Sequence, residues 1–365
     1  MKKTIALILA VGMLLALCAC NGLRGKNRAF AGVFWYDEND AFLGEVRNAL
    51  NKELDSAHID HENYFAAGNQ SKQIDQIKAA VASGVDLLVV NQVTVGSLAT
   101  ARDIMTVAGE VPVVFFNRVV GSDQEAVAEF FVQHPDSCFI GTDSPTAGQL
   151  QGDLVGNYTV EHYEQMDLNG DGEISYALFK GDDADETADY RSKCSVENAN
   201  GILAAAGKPE LRYFDPYRPA SLRYQADPDG RWSAAAAEIL MEKNLKRYNE
   251  EKGTMIELVI CNNDDMAQGV IRVLQAHGYN TKGGHTVPVF GLDATQEARK
   301  LIADGSMAGT INQDADAMAQ AIRGTAEGIV EGLSPRAAMA AMKDSRFHLY
   351  GDYRLNIDYA PYLGK

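Results

Sequence analysis

The sequence predicts an α/β protein made of two doubly wound parallel-sheet domains, and three observations predict it. Short apolar runs rich in β-branched and aromatic residues alternate with longer stretches of helical periodicity, the pattern of strands buried on both faces and covered by helices. Ten such runs are more than one compact sheet normally holds. At 365 residues the chain is also too long for a single core.

The elements follow in order. A polar stretch at 21–28 leads into an unbroken apolar and aromatic strand at 30–36, and a helix at 41–57 opens behind Asp40. A strand at 63–66 and a helix at 71–83 come next, then the all-aliphatic strand at 87–90 and the helix at 97–108. Strands at 111–116 and 137–140 precede a long helix at 146–162. The strand at 174–179 is followed by a helix at 186–206, and the short strand at 212–214 by an irregular stretch from 215 to 231, read as a surface loop. A helix at 233–247, a strand at 257–261, a helix at 266–277, a strand at 287–290, a helix at 295–303, a strand at 308–311 and a helix at 315–331 complete the pattern.

The strand ends carry the functional signal. The apolar runs finish at Asp37 and Asp40, Asn91, Asn117, Asp143, Asp182, Asn262-Asn263-Asp264, Asp293 and Asn312-Gln313. Open parallel sheets bind ligands outside the carboxyl ends of their strands. Some of these residues cap the helices that follow, but Asn117 precedes a loop. A net charge of −17 repels phosphate backbones and anionic lipid heads, which argues against nucleic-acid binding and against a basic membrane-binding face.

The N-terminus reads Met1-Lys2-Lys3, an apolar core at 5–17 and then Leu17-Cys18-Ala19-Cys20. This is a secretion signal, and its core is shorter than the roughly 20 residues a membrane span needs. The last four residues resemble a bacterial lipobox, with residues 1–19 as the signal peptide, Cys20 as the lipid-bearing cysteine and 20–28 as a tether. Cys138, Cys194 and Cys261 show neither CxxC spacing nor a neighbouring histidine, so they are read as structural.

The sharpest local motif is Asp167-Leu168-Asn169-Gly170-Asp171-Gly172-Glu173-Ile174-Ser175. It has the first nine positions of an EF-hand calcium loop, with oxygen ligands at alternate places and glycine at the sharp turn. Position twelve is Leu178, so a bidentate carboxylate has to come from elsewhere. A second constellation is Trp232 with Arg191 and the carboxylate and amide strand tips, with Phe42 placed as the opposite wall. Flat rings stack on sugar C–H faces, and carboxylates, amides and a guanidinium fork pair with vicinal hydroxyls. Trp35 is assigned to the core. No GxSxG, HExxH, Walker A or placed GxGxxG motif occurs, and the protein is read as a non-enzyme.

These residues resemble the periplasmic galactose/glucose-binding proteins over nearly the whole mature chain. The matching segments are 69–76, 111–117, Gly141-Thr142-Asp143-Ser144, the calcium loop followed by Lys180-Gly181, Asn262-Asn263-Asp264 and Phe290-Gly291-Leu292-Asp293-Ala294. The resemblance implies the type 1 periplasmic binding protein architecture, with three hinge crossings and a ligand cleft between the domains. On that basis 29–140 plus 314–343 form the N-terminal domain, and 141–313 plus 346–360 the C-terminal domain with the calcium loop. It places Asp40, Phe42, Asn117, Arg191, Trp232, Asn263 and Asp293 on sugar-contacting positions, and Asp167, Asn169, Asp171, Glu173 through its carbonyl, Ser175 and the distant Glu257 on a structural calcium ion.

The chain also departs from the family. At three further sugar-contacting positions implied by the resemblance, Asp185 and Thr187 replace a His and an Asp and Gln313 replaces an asparagine, and Ser175 is short for a calcium ligand. Gln313, and Asn117 followed by Arg118, look like the related ribose-binding proteins. The resemblance implies a lipid-anchored extracytoplasmic receptor that delivers glucose or galactose to an ABC transporter permease and also serves a chemoreceptor. A sensory module of the same fold, or a receptor for another sugar such as a pentose, is the alternative.

Overall fold

The computed structural model describes residues 28–364. The signal segment 1–19, Cys20 and the tether up to residue 27 lie outside the described residues. In chain order the strands are β1 Phe30–Trp35, β2 Asp60–Phe65, β3 Leu87–Val90, β4 Val113–Phe116, β5 Ser137–Thr142, β6 Ser175–Lys180, β7 Arg212–Tyr213, β8 Gln225–Ala226, β9 Leu258–Cys261, β10 Val289–Phe290, β11 Thr310–Gln313, β12 Phe347–Tyr350, β13 Arg354–Ile357 and β14 Tyr359–Tyr362.

The first sheet runs β12-β13-β5-β4-β3-β1-β2, parallel except for the β12–β13 hairpin. Alternate residues of its strands point to opposite faces, and each face has its own core. Val33, Trp35, Val89, Val114 and Ile140 pack with Leu43, Val46 and Leu50 of the helix Ala41–Ser56 and with Met318 and Ile322 of the helix Ala315–Val330. Phe34, Leu88, Val90 and Phe115 pack with Ile77, Ile104 and Phe130 from the helices Gln70–Ala82, Leu98–Ala108 and Gln124–Gln133. Trp35 is fully buried, as expected for a core residue, and its indole N–H donates to Asn63 Oδ1 at 2.7 Å.

The second sheet runs β10-β9-β6-β7, with β8 also on β6, all parallel. One core covers it, from Leu178 and Phe179 through Ile260 to Phe290. β11 and β14 form an antiparallel pair beside it, and bridges Phe290 to Gly309 and Asp293 to Asn312 join β11 to that side. The chain passes between the domains after β5, after β11 and between β13 and β14.

The C-terminal segment corrects the expected division. Residues 346–360 do not all belong with the second domain, because β13 pairs with β5 in the register Leu355 to Ile140 and extends the first sheet. Leu355 and Ile357 are buried in the same core as Val114 and Ile140, and that apolar contact decides the placement. Only β14 lies with β11. The stretch 215–231 is less irregular than expected, holding a 3₁₀ turn at Ala220–Leu222 and the strand β8.

Among the described residues no helix is long and apolar enough to cross a membrane, and Cys138, Cys194 and Cys261 are free thiols.

Candidate functional site

The carboxyl ends of the two sheets face each other across a cleft that encloses, with its mouth, about 460 Å³ of atom-free space. Asp40, Phe42, Asn117, Asp185, Thr187, Arg191, Trp232, Asn263, Asp293 and Gln313 all line it, so every position singled out from the sequence as sugar-contacting faces the same space. Tyr36 and Arg118 also line it and were not among those positions. The signal for Tyr36 was its place at the end of the first apolar run, just before Asp37.

Each residue is held by local chemistry. Asp40 caps the helix Ala41–Ser56 by accepting from Leu43 N at 2.8 Å, and its other oxygen accepts the Tyr36 hydroxyl proton at 2.8 Å. The Arg118 guanidinium lies 4.1 Å from the centre of the Tyr36 ring, a cation–π contact that steadies both. Asp185 caps the helix Glu186–Ala205 through Thr187 N at 2.8 Å. Asn263 caps the helix Asp264–Ala276 through Met266 N and donates to the Trp232 carbonyl, each at 3.0 Å. The same Asp and Asn residues thus cap helices and face the cleft.

Asn117, Trp232 and Asp293 have φ of 58°, 58° and 123°. Non-glycine residues rarely occupy this region, and such strain persists only where the surrounding structure over-determines it. All three line the cleft. Trp232 lies against Gly181 so closely that a Cβ there would sit 1.9 Å from the indole Cδ2. Arg191 is buried at the centre: Nη1 donates to Asn262 O at 2.9 Å, Nη2 to Gln313 Oε1 at 2.7 Å, and Asp293 lies 3.9 Å away.

Burial pushes the carboxyls of Asp40 and Asp293 above the usual range, and Arg191 pulls Asp293 back only in part. A desolvated carboxylate with lone pairs still open can take further donors, and ligand hydroxyls can supply them. Behind the cleft, Asp264 is fully buried and burial pushes it up to about 7, although Thr295 N, Thr295 Oγ1 and Thr310 Oγ1 all donate to it. The folded chain therefore keeps this proton while the unfolded chain, with a carboxyl near 4, has already lost it. Stability contributed by Asp264 falls as pH rises from about 4 to about 7, and the loss is complete above that. Asp264→Asn stays neutral throughout, so the Tm of the natural protein relative to this variant is expected to decline across that window; a constant difference from pH 4 to 8 would refute this.

The loop 167–175 is closed by hydrogen bonds from its own backbone to its own side chains. Asp167 accepts from the backbone N–H groups of Asp171 and Gly172, and Asn169 Oδ1 from that of Asp171. Glu257, 82 residues from Ser175, reaches the loop: Oε1 accepts from Leu168 N at 2.9 Å and Asn169 N at 3.3 Å, and Oε2 from Ser175 N at 2.9 Å. This fully buried carboxylate has no cationic side chain bonded to it, and its chemistry with Asp167, Asn169 and Asp171 suits a hard, oxygen-seeking cation. Two features depart from the expected set. The Ser175 hydroxyl donates to the Met255 carbonyl and is not turned to the loop, and Arg212 lies 2.7 Å from Asp171 and 2.6 Å from Glu173. Among the described residues no three acidic, histidine or cysteine side chains converge as a ready-made metal site.

Comparison with known proteins follows the same lines. The family described as "periplasmic binding protein domain" matches residues 31–332. A D-galactose/methyl-galactoside binding periplasmic protein of Haemophilus influenzae is 30% identical, over 92% of this chain and 91% of its own length. A ribose import binding protein of Escherichia coli is 22% identical, over 91% and 94%. Among solved structures, an ABC transporter solute-binding protein from Clostridium phytofermentans with bound β-D-glucose superposes with a TM-score of 0.68 at 18% identity, covering 92% of this chain and 94% of that one. One from Bacillus halodurans with bound myo-inositol gives 0.62 at 20% identity, covering 93% and 96%.

Proposed function

Since the chain belongs to the periplasmic binding protein family, we propose that its cleft captures a monosaccharide, with glucose or galactose as the leading ligands. It is a sugar-binding, non-enzymatic extracytoplasmic protein of the ABC-importer class. The observation that carries the finer reading is the convergence on one cleft of two aromatic side chains, Phe42 and Trp232, with Asp40, Asp293, Asn117 and Arg191. Rings cover the C–H faces of a pyranose while carboxylates, amides and a guanidinium pair with its hydroxyls. Captured sugar passes to the permease of an ABC transporter, and a chemoreceptor is a second partner for the loaded form.

Asp185, Thr187 and Gln313 line the same cleft and favour a second reading, in which the fold is kept but the preferred sugar is another one, such as a pentose. A site built to bond one hydroxyl strongly rejects an analogue without it. Titration calorimetry with glucose, galactose, ribose and xylose separates the two. Tight binding of a hexose is expected; heat only with a pentose would replace the ligand, and silence with all four would overturn the sugar reading.

Two further assignments belong to this proposal. Cys20 carries a lipid that holds the protein at the membrane surface, and Cys20→Ser should move it to the soluble fraction. Calcium binds the loop through Asp167, Asn169, Asp171, the Glu173 carbonyl and Glu257, in a structural role. A ligand that binds only the folded state raises stability by mass action. A chelator is therefore expected to lower Tm while leaving sugar affinity nearly unchanged, and an unaltered melting curve would remove the metal from this account.

A further inference from the structure

The hydrogen bonds at the back of the cleft run in one direction, and that direction fixes what the ligand has to offer. Arg191 is the fixed point, because a guanidinium only donates. Its Nη2 donates to Gln313 Oε1 at 2.7 Å, so the Gln313 carbonyl oxygen faces Arg191. The Tyr359 hydroxyl donates to the same oxygen at 3.3 Å and accepts from Arg191 Nη2 at 3.2 Å. With its one proton given to Gln313, Tyr359 accepts from the Thr142 hydroxyl, 2.7 Å away. These groups are buried, where an unmatched donor or acceptor costs about 1–3 kcal/mol.

The consequence reaches the other domain. With its oxygen committed to two donors, Gln313 turns Nε2 outward, and that group donates to Asn117 Oδ1 at 3.1 Å. Reversing Gln313 would set its NH₂ against the guanidinium, donor to donor. Asn117 therefore keeps its carbonyl oxygen on Gln313, and its NH₂, which no acceptor among the described residues takes, is the group left for the cleft it lines.

We propose that Asn117 is a donor-only specificity position, its polarity set by Arg191 through Gln313, with Tyr359 and Thr142 as positioning residues. This rests on the reading of the cleft as the ligand site. The ligand atom that meets Asn117 has to accept, while the hydroxyls that meet Asp40 and Asp293 have to donate. A vicinal diol satisfies both demands, since each hydroxyl gives its proton to a carboxylate and keeps lone pairs for the amide. Thr142 ends β5 in one domain, whereas Gln313 and Tyr359 face each other across β11 and β14 beside the other. The polarity of the site is thus fixed by contacts that bring the two domains together.

The test has one arm that needs no ligand. Neutron diffraction from the deuterated protein in the conformation that joins Thr142 to Tyr359 shows which end of Asn117 carries deuterium. Deuterons facing the cleft are the expected result, and a carbonyl oxygen facing it overturns the proposal even if the sugar reading stands. The second arm compares deoxy and deoxyfluoro analogues of whichever sugar binds best, because fluorine accepts but does not donate. At one ring position the fluoro analogue should bind several-fold more tightly than the deoxy analogue. Gln313→Glu keeps both acceptor bonds to Arg191 and Tyr359 but has no donor for Asn117, so the amide turns over and that preference is lost along with at least tenfold in affinity for the parent sugar. An unchanged analogue pattern in this variant, or no such position in the natural protein, refutes the proposal. If no sugar binds at all, the functional reading fails while the neutron map still decides this one.

Discussion

Gly181→Ala is expected to weaken ligand capture about a hundredfold while leaving a folded protein. The added Cβ would lie 1.9 Å from Trp232 Cδ2 and 2.1 Å from Cε3, far inside contact distance, and neither side can easily give way. The indole is 8% exposed, its backbone sits at φ 58°, and Asn263 holds its carbonyl at 3.0 Å. Gly181 is itself tied by its N–H to Asn262 Oδ1 at 3.3 Å. Its own φ is not in the left-handed region, so the cost is steric and arises wholly from the ring. Overpacking of this kind costs about 1–3 kcal/mol of stability. Displacing an aromatic wall should weaken binding by about two orders of magnitude, or about 3 kcal/mol. Calorimetry and Trp232 fluorescence read the two effects separately, and binding within threefold of the natural protein would show that the indole is no part of the ligand's wall.

Arg191→Met should be the most damaging single change in the cleft. The guanidinium lies 5.5 Å from the Trp232 ring centre, 3.9 Å from Asp293, and bonds Asn262, Gln313 and Tyr359. Methionine fills much of the space and keeps none of this. Asp293 is left as a buried carboxylate with no cation, and removing one partner of a buried pair costs about 3–5 kcal/mol. A clear fall in Tm and loss of measurable sugar binding are expected together. Arg191→Lys retains the charge without the planar fork, so it should recover part of the stability and little of the affinity. Full affinity in the lysine variant would mean the charge alone suffices.

The cleft was legible in the sequence because of how parallel sheets end. An apolar run that stops at Asp40, Asn117, Asn263 or Asp293 has reached the carboxyl edge of its strand, and all such edges of a doubly wound domain lie on one side. What stayed hidden was whatever lacked that pattern. β12 is an edge strand with exposed Leu349 and Tyr350, so burial left no alternation there to read. β13 has buried residues, but four residues of strand carry no record of which sheet they join. The helical pattern read from the sequence also lacks Gln124–Gln133 and Pro335–Ala341, the latter only 7 residues long. In the loop 167–175 the spacing named the donors, but only the fold shows Ser175 turned to Met255 and Arg212 set beside Asp171.

The sequence by itself determined the two α/β domains, the loop motif and the residue types gathered at the strand ends. These follow from periodicity, turn chemistry and local spacing, which act over a few residues. Tertiary structure alone decided which sheet β13 completes, how Trp232 lies on Gly181, and which way Asn117 presents its amide. Arg191 and Gln313 are 122 residues apart, and Gln313 and Asn117 are 196 apart. A hydrogen bond's direction is settled only when both partners are in place, so no reading of one segment contains it.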